Sequence, residues 1–245
     1  MAAEEVVERS GGRWHYLIRE VGGETILASG EDEVLHPAST IKVAIAALFF
    51  ATLEQEGSIE DLPKALRERG TDGRSYEQLL RAMLVKSEEP AADSLQKWVE
   101  ERVSPEDVLK SWGLEHTRLT PRRSTLAELA MLLEGIWTGR WISAPARDIL
   151  LGLMAEYTPN DDLRLGVARG CQAQDERFYN KRGTLTDDVL IVGDVALIER
   201  GGKWYFAGVF AYQMPEGLPQ TTYETLEAGM ADFGGLFCEF LGGGR

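Results

Sequence analysis

The stretch from Val43 to Leu53 reads Val-Ala-Ile-Ala-Ala-Leu-Phe-Phe-Ala-Thr-Leu, with Thr52 its one polar residue. The pattern from His36 onward is helical and stops at Gly57, so apolar side chains fall on nearly every face of one helix. Such a helix persists in water only when protein surrounds it on all sides. The run is about half the roughly 20 residues that a bilayer-spanning helix requires, which places it at the centre of a folded core. A chain of 245 residues, 44% of them apolar, has the material for that enclosure. Disordered chains and small stapled scaffolds are excluded on the same ground.

The segments on either side say what does the enclosing. Residues 13–19 and 24–28 are rich in β-branched and aromatic residues and flank Gly22-Gly23, the pattern of a β-hairpin. Helix starts follow the central helix. Ser75 and Gln78 form a capping box before Leu79, Leu80, Met83 and Leu84, and Ser104-Pro105 sets an N-cap before a proline at the first helical position. Ser124 precedes Leu126, Leu129, Leu132 and Leu133, and Ser143 precedes Ile149, Leu150 and Leu153. Strand character returns at 177–180, 189–198 and 204–212, the last two joined across Gly201-Gly202, and a helix runs from about Tyr223 to Leu241. This order predicts an α+β fold: an antiparallel sheet of about five strands built from both ends of the chain, flanked by helices, with an all-helical subdomain inserted. The expected division is 1–36 with 172–245 for the sheet and 37–171 for the helices, with a cleft at the junction.

Chemistry concentrates at the start of the central helix. In Ser39-Thr40-Ile41-Lys42 the serine and lysine lie one helical turn apart, so the amine can reach the hydroxyl. The helix N-terminus favours negative charge developing there. A lysine set in an apolar wall has a lowered pKa and can serve as base toward serine, a weak nucleophile on its own. The competing reading is an N-cap serine followed by an ordinary lysine. Further along, Ser87-Glu88-Glu89 follows an apolar helix, and Lys181-Arg182-Gly183-Thr184 stands at the end of an expected strand.

With these three motifs in this order, the chain resembles the class A β-lactamase and penicillin-binding-protein superfamily, with its Ser-x-x-Lys, Ser-Asp-Asn and Lys-Thr-Gly set. The resemblance covers nearly the whole chain and includes Pro37 to Val43, Ser87 to Asp93, Trp112 to Leu119 and Thr120-Pro121-Arg122. It implies that Ser39 is the acylated nucleophile, Lys42 its base partner and Ser87 the hydroxyl that relays a proton to the leaving group. Lys181 would add positive charge for a substrate carboxylate, and the backbone N–H groups of Ser39 and Thr184 would form an oxyanion hole. Glu89, Arg182 and Gly183 would line the substrate site.

The chain also departs from that pattern. Glu89 replaces an amide that binds the substrate's side-chain carbonyl, and an ionised carboxylate donates no hydrogen bond. Arg182 replaces a hydroxyl residue and would either grip a carboxylate or obstruct the cleft. Leu119 runs straight into Thr120-Pro121 where β-lactamases of the family carry a long loop with a Glu-Pro-x-Leu-Asn segment, whose glutamate activates the hydrolytic water. Three readings of Glu89 stay open: a partner that holds Lys42 protonated and raises its pKa, a group that orients the hydrolytic water, or a solvated helix-start residue. The expected function is a serine acyl hydrolase acting on an amide or ester with poor β-lactam turnover. A non-catalytic binding descendant of the fold is the alternative.

The charge balance of 26 basic against 40 acidic residues, net −14, disfavours nucleic acid and anionic membranes as partners. A small acyl substrate is the expected partner, and no cofactor or metal is expected. Asp161-Asp162 and Asp187-Asp188 read as solvated turns, and His15, His36 and His116 have no triad spacing. Cys171 and Cys238 form no zinc pattern, and the chain is expected to fold without disulfides. The acidic opening lacks an apolar signal segment, which makes the cytoplasm the expected location.

Overall fold

The computed structural model describes residues 2–57, 61–70, 72–156, 177–186, 189–213 and 221–242. Helix α1 (Ala3–Ser10) leads into strands β1 (Arg13–Glu20) and β2 (Thr25–Ser29). A 3-10 turn (Ala38–Ile41) then opens the central helix α2 (Lys42–Gln55), followed by α3 (Leu62–Ala65), α4 (Tyr76–Leu84), α5 (Glu89–Glu100) and α6 (Pro105–Ser111). The short strands β3 (Arg118–Leu119) and β4 (Arg122–Arg123) precede α7 (Leu126–Trp137) and α8 (Ala144–Glu156). Strands β5 (Phe178–Leu185), β6 (Ile191–Arg200) and β7 (Lys203–Tyr212) return to the sheet, and α9 (Tyr223–Gly242) packs across it.

The main sheet has the order β2-β1-β7-β6-β5 and is antiparallel throughout. Residues near both ends of the chain thus share one sheet, as the element order predicts. The turn between β6 and β7 consists of Gly201 and Gly202, with φ of +57° and +76°. A two-residue hairpin of this hand needs positive φ at both positions, which glycine adopts without a Cβ clash.

Both faces of the sheet are buried, so successive residues of its strands enter different cores. On β6, Ile191, Val195 and Leu197 face the large helical core, whereas Val192, Ala196 and Ile198 face a smaller core beneath α1 and α9. Helix α2 lies in the large core, buried at every position from Lys42 to Leu53. The stretch Ala38–Gln55 is apolar and long enough by composition to cross a membrane, yet 83% of it is buried inside the protein, so the core accounts for its apolarity. Phe49 shows how tightly it is held, with ring centroids 4.8 Å from Trp98, 5.2 Å from Tyr76 and 5.6 Å from Phe50.

Several local expectations need correction. Helix α1 was not expected; its apolar face, Ala3 and Val6, completes the smaller core. The N-cap of α7 is Thr125, which accepts from the Glu128 amide, and not Ser124. Ser124 instead pairs its backbone with Leu35 and its hydroxyl with Thr117. Cys238 is disulfide-bonded, contrary to the expectation of no disulfides, because spacing along the chain does not report which segments α9 packs beside. Cys171, Asp161-Asp162 and Asp187-Asp188 lie outside the described residues, as does the expected boundary at 171–172.

Because Phe49 fills the contact between α2, α4 and α5, Phe49→Ala should lower the unfolding free energy by about 3–5 kcal/mol. Denaturant unfolding followed by circular dichroism measures this, and a loss below about 1 kcal/mol would contradict the packing.

Candidate active site

Three contacts pin the turn that carries Ser39. The Tyr212 hydroxyl at the end of β7 donates to the His36 carbonyl at 3.1 Å. The Ala38 amide donates to His36 Nδ1 at 3.1 Å, and the Thr40 hydroxyl donates to the Pro37 carbonyl at 2.7 Å. Ser39 is left half-buried at the mouth of a cleft, while Lys42, one turn deeper, is fully buried. Ala38 and Ser87 have φ of +47° and +59°, the only positive values outside glycine among the described residues. Such conformations cost of order 1 kcal/mol each, and both flank the same cluster.

The Lys42 amine is the centre of that cluster. Its Nζ lies 3.0 Å from Ser39 Oγ, 2.6 Å from the Ser87 carbonyl, 3.3 Å from Ser87 Oγ and 2.8 Å from Glu89 Oε1. The carbonyl and the carboxylate can only accept, so they take two N–H donors. In the neutral amine the remaining position, toward Ser39 Oγ, is a lone pair. Burial lowers the Lys42 pKa, and the hydrogen bond and charge of Glu89 oppose that shift without reversing it. Glu89 therefore stands beside Lys42 as one sequence reading held, but the net direction is down because the amine is cut off from water.

Glu89, the first residue of α5, is held from its other side by Arg122, which donates to both carboxylate oxygens at 3.2 and 2.7 Å. Its Oε1 is also 3.4 Å from Ser39 Oγ. Burial disfavours the ionised form, but the hydrogen bonds from Arg122 and Lys42, with their charges, outweigh it and bring the pKa down to about 2. Glu89 is thus ion-paired on two sides while half of its side chain stays exposed. Arg122 reaches this position because β3 and β4 are separated by Thr120 and Pro121 alone, with Leu119 opposite Arg122.

Lys181 enters from β5, fully buried, donating to Ser87 Oγ at 3.1 Å and to the Arg182 carbonyl at 2.9 Å. Burial pushes its pKa down to about 7, and the Lys42 charge adds to the shift while Asp194 opposes it. The Ser87 hydroxyl thus bridges two amines. Arg182 points to the other wall, ion-paired to Glu227 and hydrogen-bonded to the Tyr223 hydroxyl. These partners sit one turn apart on α9 and share a face. Gly183 permits the approach of β5 to the nucleophile turn: a Cβ there would fall 2.8 Å from the Ser39 nitrogen and 2.9 Å from that of Thr40.

A cavity of about 380 Å³ joins these groups, lined by Ser39, Ser87, Glu89, Arg182, Thr184 and Tyr223. Ser39, Lys42, Ser87, Glu89, Lys181, Arg182, Gly183 and Thr184 thus gather at one cleft. Sequence reasoning missed Arg122, Glu227, Tyr223 and Tyr212. The carboxylate-clamping capacity of arginine was read only at Arg182, with no partner named, and Arg122 entered only as the end of Thr120-Pro121-Arg122. The histidines stand apart from the chemistry. His15 is buried on β1 against the Gly30 carbonyl, His36 braces the turn, and His116 binds Glu128 at 2.8 Å.

The comparisons bear on family and fold. A profile described as the beta-lactamase enzyme family matches residues 2–228. Among solved structures, a beta lactamase from Burkholderia vietnamiensis superposes with a TM-score of 0.79 at 22% identity, over 99% of this chain and 96% of that one. One from Xanthomonas campestris pv. campestris gives 0.79 at 20%, over 98% and 96%. An ancestral class A beta-lactamase gives 0.78 at 23%, over 96% and 97%. No curated protein matches the chain.

Two outcomes follow from the geometry. In Arg122→Ala the Glu89 pKa should climb from about 2 toward its ordinary value, read by carboxyl-carbon NMR titration. Lys181 loses its proton near pH 7 when folded but nearer 10.5 when unfolded. Between those values unfolding takes up a proton, so this group makes stability rise with pH. Lys181→Met should therefore be more stable than the parent below pH 7, with the advantage shrinking toward pH 10 in denaturant unfolding. An advantage independent of pH would refute the assignment.

Proposed function

The chain belongs to the beta-lactamase enzyme family, and from that premise we propose that it is a serine acyl hydrolase whose Ser39 forms an acyl-enzyme with an ester or amide. The observation that carries this reading is the 3.0 Å approach of Lys42 Nζ to Ser39 Oγ with two other amine positions already occupied by acceptors. Lys42 takes the Ser39 proton as Oγ bonds to the acyl carbon, and the carbonyl electron pair moves to its oxygen. The N–H groups of Ser39 and Thr184 are the proposed donors to that oxyanion. When the intermediate collapses, the leaving group departs with a proton from the Ser87 hydroxyl. One of the two amines beside Ser87, at 3.3 and 3.1 Å, restores that proton.

Deacylation is the weak step. The two-residue β3–β4 connection leaves no room for a long loop with a glutamate, and a carboxylate with a pKa of about 2 such as Glu89 is a poor base. A missing base costs about 10² to 10⁴ in rate. An acyl-enzyme that is released slowly follows. One observation favours the non-catalytic alternative: the 2.8 Å Lys42–Glu89 ion pair stabilises a protonated amine, which cannot act as base.

Intact-mass measurement decides between the two. The parent should gain one acyl adduct from a 4-nitrophenyl ester, and Ser39→Ala none. Adduct formation should quicken as pH rises and Lys42 loses its proton, at a lower pH than for an exposed lysine because burial lowers its pKa. A parent that gains no adduct at any pH is a binding protein.

A further inference from the structure

The two walls of the cleft carry opposite halves of closed ion pairs. On the nucleophile side Glu89 presents its carboxylate, half of the side chain exposed, with Arg122 and Lys42 behind it. On the β5 side the cation is Arg182, whose Nη2 is already taken and whose Nε is buried without a partner. Glu227 binds its Nη2, Tyr223 shares that nitrogen, and the side chains of Arg182 and Glu227 are only 12% and 14% exposed. Lys181 lies below the surface, donating to Ser87 and to a backbone carbonyl. Among the described residues, then, each arginine at the cleft has its own carboxylate, and the charge that faces solvent is negative. The remaining lining groups are hydroxyls and backbone.

From this we infer that the acyl substrate is uncharged, and that Glu227 is the residue that makes it so by occupying Arg182. The inference rests on the serine hydrolase reading and specifies its substrate class. A substrate carboxylate entering the cleft meets Glu89 on one side. On the other, Arg182 Nη2 is held by Glu227 in a pair largely shielded from water, where breaking a charge pair is costly, and Nε is buried away from solvent. A neutral ester, thioester or lactone meets neither obstacle, and Tyr223 and Thr184 offer it hydroxyls. Glu227 acts through Arg182 and is a specificity-determining residue, not a catalytic one.

The test compares 4-nitrophenyl butyrate with 4-nitrophenyl hemisuccinate, acyl groups of similar size that differ in a terminal carboxylate. The parent should favour the butyrate at least tenfold in kcat/KM. In Glu227→Gln, which keeps the shape but removes the charge, the ratio should fall toward one, through a lower KM for the hemisuccinate. Loss of structure would instead depress both substrates together. A parent that prefers the hemisuccinate, or a ratio unmoved in Glu227→Gln, overturns the inference. Because the assay needs turnover, binding is read separately by NMR, following the Arg182 Nε–H signal during titration with butyrate and butyramide. In the parent, butyrate should leave that signal in place, and in Glu227→Gln it should shift it. A shift in the parent overturns the inference even where no ester is hydrolysed and no Ser39 adduct forms, results that would count against the hydrolase reading alone.

Discussion

Everything at the cleft is arranged around one buried amine. Lys42 sits at the start of a helix that has no exposed face, and removing an ammonium from water costs far more than any single hydrogen bond returns. The fold meets this cost by bringing Ser39, the Ser87 carbonyl and Glu89 to within 3.0 Å of Nζ. Two of those partners come from the junction of α4 and α5. Its geometry is held by Ser87 in a left-handed conformation, which turns both its carbonyl and its hydroxyl inward.

The same economy governs the remaining charges. Four basic side chains, Lys42, Arg122, Lys181 and Arg182, converge around the cleft, a concentration that would be self-repelling without compensation. Glu89 serves Lys42 and Arg122, Glu227 serves Arg182, and Lys181 lowers its own cost by having a pKa near neutrality. The result is a cleft rich in ionisable groups but nearly balanced in charge. Acid-base chemistry can run on the two lysines while the arginines act as fixed struts. The short β3–β4 connection belongs to this design. By turning back after two residues it replaces a loop that could hold a hydrolytic base with an arginine that immobilises Glu89.

How far the sequence revealed this can be followed residue by residue. The capping box at Ser75 and Gln78, the N-cap at Ser104 and the glycine hairpin at 201–202 are local devices, whose chemistry is complete within four residues, and they were legible. The α1 helix was not, because a short amphipathic segment has no strong signal until α9 and the sheet give its apolar face a place to pack. Ser124 and Thr125 are adjacent and equally good caps by type; Ser124 was removed from competition by Leu35 and Thr117, contacts with no trace in local spacing. Lys42, Glu89 and Arg182 were recognised as important, but the balance between burial and charge that sets their state was not.

What the sequence by itself determined is the kind of fold and the set of residues proposed to react. An all-apolar helix must be enclosed, strand segments at both ends must find each other, and the three motifs in order name the family's chemistry. The tertiary structure alone decided the electrostatics. Arg122 on Glu89, Glu227 and Tyr223 on Arg182, and Tyr212 on the nucleophile turn are pairings between segments far apart in the chain. Which cation meets which carboxylate depends on distances of a few ångströms across a packed interface, and no periodicity or spacing along one segment carries that information.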